Sequence, residues 1–425
     1  MGKLQEGIFY NREKDFQGYK ALDLGEQRNR TFAALFIRFE SCTAEKVGGL
    51  LKGLWKRYES LKEGYSEDIP GCRFPSGSLT VLIGYGPKIF ELSGIKKKIP
   101  KDMKDMQFMP SEVGGEPILA DAGIEFAKDK HENVGLSEHV IIQLIATSQL
   151  AVYRSIVESL NYLYKFEEQF FTVKFYTGFQ RDDRRSWLGF HDEISNLNSS
   201  KEAKVVIAIN KNFNHLRYDD YWTENGTYLA FLRTRIDLEL WNTLSTKEQE
   251  LIVGRDKESG RPIIGVDSKG NPILDENCPH LTEINKFTKE FHNHPDFFKR
   301  PDISKTNNPP DPVASTRILN QSHIGRTRHI EQIEPGNPSS NRIFRQGFEF
   351  IETSLDPKFP LNVGQNFVSF QNDPVRIFSI LTSPHWLGKA NFGGPDTLKL
   401  LTVTAAGVFL VPPNEEPFPG ACIFL

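Results

Sequence analysis

The chain lacks the features that define several broad classes of protein. Its 425 residues hold only four cysteines, Cys42, Cys72, Cys278 and Cys422, widely scattered and in no CxxC pair. Neither a zinc site nor a disulfide framework is expected, and a reducing, cytoplasmic setting fits best. There is no surplus of charge: 52 Lys+Arg against 55 Asp+Glu leave a net charge of −3. That excludes a global electrostatic case for nucleic acid or an anionic membrane surface. No apolar run reaches the ~18 residues that a transmembrane helix needs. The start, Met1-Gly2-Lys3-Leu4-Gln5-Glu6, has neither the apolar centre of a secretory signal nor a twin-arginine leader. The final residues, Cys422-Ile423-Phe424-Leu425, formally match a prenylation box, but the stretch before them, Asn414-Glu415-Glu416, is acidic rather than polybasic.

What is present is ordinary globular composition, 38% hydrophobic and 25% charged, ample for a large core and for roughly two to three structural units. Residues 30–39 form a β-rich run. Val47, Leu50, Leu51, Leu54, Trp55, Tyr58 and Leu61 follow at helical spacing. Strands are expected at 79–84, 139–145 and 170–176. A second helical stripe runs through Leu150, Tyr153, Ile156, Val157 and Leu160. This order is a ferredoxin-like β-α-β arrangement.

The second half repeats the plan with insertions. Strands are expected at 227–232, 341–350, 365–370 and 400–411, and helical pieces at 235–244 and 247–254. Asp373-Pro374 starts a further helix that runs to about Leu381, with an N-cap acid followed by proline at the first helical position. Residues 98–119 and 258–313 read as loops. In the first of them Met103, Met106 and Met109 share one face of a short helix. The expected class is α+β, with one module over 1–200, a second over 201–425 and a long insertion at about 258–313.

Three polar residues stand in or beside apolar stretches: Asp192 in Gly189-Phe190-His191-Asp192, His323 in Ser322-His323-Ile324, and Arg345 in Ile343-Phe344-Arg345-Gln346-Gly347. Singly each has a plain reading. Asp192 would be a turn or N-cap residue, His323 a core or loop histidine, and Arg345 an ion-paired strand residue. Together a carboxylate, an imidazole and a guanidinium supply a proton shuttle, an axial iron ligand and a fixed positive charge.

The motifs then resemble, in order, those of the dye-decolorizing (DyP-type) haem peroxidase family. Gly189-Phe190-His191-Asp192-Glu193-Ile194-Ser195 is similar to its GxxDG motif, and Gly226-Thr227-Tyr228-Leu229-Ala230-Phe231 to its second-module strand. Ile252-Val253-Gly254-Arg255-Asp256, the stretch ending Asn320-Gln321-Ser322-His323-Ile324, and Arg342-Ile343-Phe344-Arg345-Gln346-Gly347 follow. The closing strands resemble Asn366-Phe367-Val368-Ser369-Phe370-Gln371 and residues 401–412.

The resemblance implies two ferredoxin-like modules of the dimeric α+β barrel type, antiparallel sheets with peripheral helices, and haem b (iron protoporphyrin IX) in the C-terminal module. It implies His323 as axial iron ligand. Asp192 would move the peroxide proton, and Arg345 would stabilise charge during O–O cleavage. Phe190, Ile194 and Phe367 would wall the cofactor, with Arg326 or Arg328 near a propionate. His280, His292 and His294 compete with His323 for the iron.

The implied activity is reduction of hydrogen peroxide through a ferryl intermediate, with phenols or bulky aromatic dyes as reductants. Trp386, or more weakly Trp187, would pass electrons from large substrates. The chain departs from the pattern at Glu193, where the motif has glycine, at Gly325, where arginine is common, and at Gln365 and Asn366, where apolar residues are common. These departures motivate the alternative of a haem- or porphyrin-binding protein with little turnover, used for storage, sensing or iron handling. A scaffold without cofactor is a third reading. A homo-oligomer is plausible.

Overall fold

Residues 31–39 are apolar on both faces of a strand, and both faces are buried. Phe32, Ala34 and Phe36 join one hydrophobic cluster, while Ala33, Leu35, Ile37 and Phe39 join another. A strand buried on both sides needs a layer on each side. Here one layer is a barrel interior and the other a coat of helices.

The computed structural model describes residues 3–8, 30–106, 138–166, 170–181, 185–191, 205–211, 216–275, 322–324, 342–354, 361–382 and 400–425. Among them the strands are β1 (Thr31–Phe39), β2 (Thr80–Tyr85), β3 (Val140–Ala146), β4 (Phe171–Phe179), β5 (Thr227–Ile236), β6 (Ile263–Val266), β7 (Pro272–Leu274), β8 (Phe344–Thr353), β9 (Leu361–Gln371) and β10 (Leu401–Val411). The helices are α1 (Ala44–Lys62), α2 (Lys101–Met106), α3 (Gln149–Leu163), α4 (Leu238–Thr243), α5 (Thr246–Val253) and α6 (Pro374–Thr382).

The large sheet closes as a barrel in the order β1-β3-β2-β10-β5-β9-β8-β4, with antiparallel neighbours. It is two copies of one motif. The first half contributes β4-β1-β3-β2 and the second β10-β5-β9-β8. Numbered within each half, both are the ferredoxin-like order. The seams are short: Tyr85 pairs Leu410, and Phe179 pairs Glu349.

Aromatic side chains fill the interior. Phe32 stacks on Phe348 at 4.3 Å, and Phe231 meets Phe36 edge-on at 5.0 Å. Gly7 and Ile8 lie inside, where the buried Gln143 and Gln346 side chains each donate to Gly7 O at 3.1 Å. Buried Arg233 packs over Phe350 at 3.5 Å and donates to Asn366 Oδ1 (2.9 Å) and Glu352 Oε2 (2.6 Å). A guanidinium can sit there because its charge is both paired and stacked.

Helix α1 matches its sequence pattern. Thr43 caps it by accepting from Lys46 N, and Val47, Leu50, Leu51, Leu54, Tyr58 and Leu61 are buried. Helix α6 also begins as expected, with Asp373 accepting from Val375 N at 2.9 Å.

Four elements differ from expectation. Residues 235–236 continue β5 because they stay in the ladder, Arg235 opposite Gly364 and Ile236 opposite Leu401. Helix α4 begins only after Asp237, which accepts from Leu240 N at 2.9 Å. The stretch read as a loop from residue 258 contains the β6–β7 hairpin, whose turn is closed by Asp267 accepting from Asn271 N at 2.8 Å. On α3 the large apolar residues Leu150, Tyr153 and Val157 point outward, while Ala151, Val152, Ser155, Ile156 and Ser159 are buried.

The terminal box is part of the core. Ile423 and Phe424 are buried against α1, and Tyr85 Oη donates to Pro419 O at 2.6 Å. Burial pushes the Cys422 thiol up to about 12, an unreactive thiol. No helix among the described residues is long and apolar enough to cross a membrane.

Buried His139 accepts from Phe39 N through Nδ1 at 3.1 Å, and burial lowers its pKa from 6.5 to about 4. The folded chain therefore binds fewer protons at this site than the unfolded chain. The stability this neutral imidazole confers is full above about pH 6.5 and is lost as pH falls toward about 4. Urea midpoints measured across that window are expected to drop with acidification. In His139→Gln, which keeps an acceptor but does not titrate, that component of the drop should shrink. An unchanged profile would remove His139 as its source.

Candidate functional site

Helices α4 and α5 form one wall. Ser245 and Glu248 make a capping box at the start of α5, and Gly254 ends it in the left-handed region at φ 87°. Residues 322–324 rest on that end. His323 N donates to Ile252 O (2.8 Å) and Ile324 N to Val253 O (3.1 Å). A Cβ on Gly254 would lie 2.5 Å from Ser322 Oγ. Glycine is thus needed here both for the backbone turn and for the approach of the histidine segment. His323 is half-buried with Nδ1 inside, and Ile324 packs on the cluster of Phe190, Trp241, Ile252 and Val253.

The second wall is the outer face of β8 and β9. Strand alternation sends Phe344, Phe348, Val368 and Phe370 into the barrel and leaves Arg345, Gly347 and Glu349 opposite Ser369, Phe367 and Gln365 on the outside. Arg345 and Phe367 are both partly exposed. Gln365 and Asn366 therefore part ways. Gln365 stays on this face and donates to Glu349 Oε1 at 3.0 Å, whereas Asn366 turns inside to Arg233 and donates to Thr177 O.

The third element is the turn at residues 185–191. Arg185 pairs with His191 as a bridge, and its guanidinium donates to Gly189 O (2.6 Å) and Lys257 O (2.7 Å). Gly189 has φ 85°, and a Cβ there would meet the Lys257 chain at 2.6 Å. Trp187 N donates to Glu349 Oε2 (3.2 Å) and its indole N–H to Phe350 O (3.0 Å). Trp241 donates its indole N–H to Leu188 O (3.2 Å) and meets Phe190 edge-on at 6.2 Å. Burial lowers the Lys257 pKa, with Glu250 opposing the shift.

The turn that leads to Asp192 is thus fixed to the barrel on one side and to α4–α5 on the other. The stretch from Ile252 to Lys257 carries both this turn and the His323 segment. Asp192, Glu193, Ile194, Gly325, Arg326, Arg328, His280, His292, His294 and Trp386 lie outside the described residues. Of the sequence candidates, His323, Phe190, Arg345 and Phe367 are placed, and the first two share one apolar cluster through Ile324 and Phe190. Glu349, Arg185 and Lys257 were missed, and Gly254 entered only as part of the Ile252–Asp256 motif. Only strand period could have marked Glu349, two and four residues beyond Gly347 and Arg345. The others act through backbone contacts that leave no pattern in sequence.

The chain matches the family profile "Dyp-type peroxidase, C-terminal" over residues 183–416 and "Dyp-type peroxidase, N-terminal" over 27–117. It is 23% identical over 259 residues to a deferrochelatase of Escherichia coli O6:K15:H31 and 24% identical over 259 residues to one of Shigella sonnei, 54% of this chain in each case. It spans about half the length of these curated relatives, 55%. Among solved structures, ferric DtpA from Streptomyces lividans aligns with a TM-score of 0.62 at 18% identity, covering 94% of both chains. A DyP-type peroxidase from Cellulomonas bogoriensis aligns at 0.58 with 15% identity, covering 93% of both. These structural likenesses establish the fold.

Proposed function

The chain belongs to the Dyp-type peroxidase family, and on that premise we propose that it is a haem b-dependent peroxidase that reduces hydrogen peroxide and oxidises phenolic or bulky aromatic compounds. The observation that carries this reading is the seating of the His323 segment and the Gly189–His191 turn on one short stretch, Ile252 to Lys257.

The residues fit a haem. A half-buried imidazole, apolar Phe190, Trp241 and Ile324, and a neighbouring sheet face bearing one guanidinium and one phenyl ring make a suitable donor set and wall. His323 would hold the iron and Arg326 a propionate, with Phe190, Ile194 and Phe367 against the ring. Bound haem would supply the redox-active metal that peroxide meets. The remaining chemistry falls to the chain. Asp192 takes a proton from hydrogen peroxide and returns it to the leaving oxygen. Arg345 holds a permanent positive charge where negative charge develops. Half-buried Trp187, with Arg181 4.8 Å over its ring, is a route for electrons from substrates too large to enter. We keep the division near residue 200 and a cytoplasmic location as parts of this reading.

A second reading has specific support. The relatives are named deferrochelatase, and Glu349 with Gln365 places a polar pair on the face where apolar residues were expected. It is a haem- or porphyrin-binding protein for iron handling with little peroxidase turnover. The test is the absorption spectrum of haem-loaded protein before and after one equivalent of hydrogen peroxide. Rapid conversion with steady turnover supports the peroxidase, whereas a stable band that ignores peroxide supports the second reading. In Arg345→Leu, haem content should hold while peroxide turnover drops by ~10²–10³-fold. Wild-type turnover in that variant would remove Arg345 from the reaction.

A further inference from the structure

Helix α3 carries large apolar side chains on its outer face as well as its inner one. Its buried side mixes the small residues Ala151, Ser155 and Ser159 with Val152, Ile156 and Leu163, and the serines there satisfy their hydroxyls locally. Ser155 donates to Ala151 O (2.8 Å), Ser159 donates to Ser155 O (2.6 Å), and Tyr58 Oη pairs with Ser159 Oγ at 2.7 Å. Small residues let α3 approach α1 closely, and Tyr162 occupies the space where a Cβ on Gly53 would stand. Several large side chains are nevertheless left outside. Leu150 is 63% exposed, Tyr153 41%, Val157 54% and Tyr164 61%, with Leu160 partly exposed between them.

These residues are spaced 3-4-3-4 along the helix, the period of a seam that meets another helix. The spacing also reads nearly alike in both directions from Val157. Tyr153 and Leu160 lie four before and three after it, and Leu150 and Tyr164 lie seven away on either side. An antiparallel copy of the same helix, placed on a two-fold axis at Val157, sets Val157 on Val157, Tyr153 on Leu160 and Leu150 on Tyr164. That is the self-complementarity an isologous contact requires.

Charge does not oppose such a contact. Of the ionisable groups on this stretch, Arg154 lies 4.0 Å over the Phe74 ring. Glu158 is buried and accepts from Ser66 Oγ. Lys165 pairs with Asp68 at 3.4 Å. Asp68 also accepts from Asn161 at 3.1 Å. These bonds hold Ser66 and Asp68 against α3, and their chain neighbours Tyr65 and Ile69 are 48% and 49% exposed. The exposed parts of these seven side chains amount to ~600–700 Å² per copy, taking large side chains at ~150–250 Å² each. With a polar rim that approaches the ~800 Å² per partner of a standard interface, and it exceeds what scattered surface residues explain.

We propose that the outer face of α3 is a dimerisation surface, and that its partner is a second copy of this chain related by a two-fold axis through Val157.

The test is sedimentation equilibrium on the full-length protein over ~0.1–50 μM, a range suited to an interface of this size. Wild type should run at twice the chain mass in the upper part of that range. Val157→Lys and Val157→Asp each put two like charges on the axis. Each should weaken association by at least ~30-fold, as expected at the centre of an interface, with the circular dichroism spectrum unchanged. An equimolar mixture of the two should recover a 1:1 dimer, because lysine then faces aspartate. A wild-type monomer throughout the range, or dimers that survive both substitutions, would overturn the proposal. So would failure of the mixture to pair, because the face would then serve a different protein.

Discussion

His323→Ala is expected to abolish stable haem retention. Loss of a first-sphere ligand should weaken haem binding more than tenfold, beyond the lower bound seen for groups that only orient a ligand. The physical argument starts from the backbone. His323 N and Ile324 N are bonded to Ile252 O and Val253 O, the last carbonyls of α5. The segment is therefore held by main-chain bonds that alanine keeps, and the variant should fold. Only the imidazole is removed. Haem-to-protein ratios after gel filtration, together with the ferric spectrum, measure the outcome. An unchanged ratio and spectrum would pass the ligand role to His280, His292 or His294.

Asp192→Asn is expected to keep haem and lose ~10²–10⁴-fold in peroxide turnover, the usual contribution of a positioned proton-transfer group. The turn that delivers residue 192 is held at several points. Arg185 bonds Gly189 O, Trp187 bonds Glu349 and Phe350 O, and Trp241 bonds Leu188 O. None of these bonds involves the residue 192 side chain, so an isosteric amide should leave the turn in place. Asparagine can donate a hydrogen bond but cannot take a proton and return it. Stopped-flow reaction with hydrogen peroxide at several pH values separates the cases. Turnover within a factor of ~3 of wild type would show that the proton moves by another route, since that loss falls well short of the general acid–base range. Glu193, next in the chain, is the first alternative.

The two segments use different anchors on the same stretch, so each should stay in place when the other is altered. His323 and Ile324 hang on the carbonyls of Ile252 and Val253, whereas the 185–191 turn hangs on Lys257 O through Arg185. A substitution in one segment removes a side chain and leaves the other segment's bonds in place. Additive losses are expected for residues acting separately, and strong non-additivity for residues acting as a unit.

Much of the fold was legible. The apolar period of α1, the β-rich apolar runs of the first barrel strands and the Asp373-Pro374 start are local signals, and each element formed where its signal lay. Legibility failed where long-range pairing outweighed local preference. Residues 235–236 were drawn into β5 by ladders with β9 and β10 on both sides. In α3 the apolar stripe marked the helix, yet Leu150, Tyr153 and Val157 on it face outward. Periodicity identifies a face without saying whether a barrel, a helix or a second molecule covers it.

The site divides in the same way. Sequence alone determined which chemical groups are present, an imidazole, a carboxylate and a guanidinium in ordered motifs, because motif spacing is a property of the chain. Only the tertiary structure decided which neighbours hold them. The Gly254–Ser322 approach, the Arg185 bridge to Lys257 and the Glu349 contact with Trp187 join residues 68, 72 and 162 positions apart. Contacts over such separations arise from barrel closure and the packing of α4 and α5 against it. Those arrangements depend on every strand at once, and no single segment encodes them.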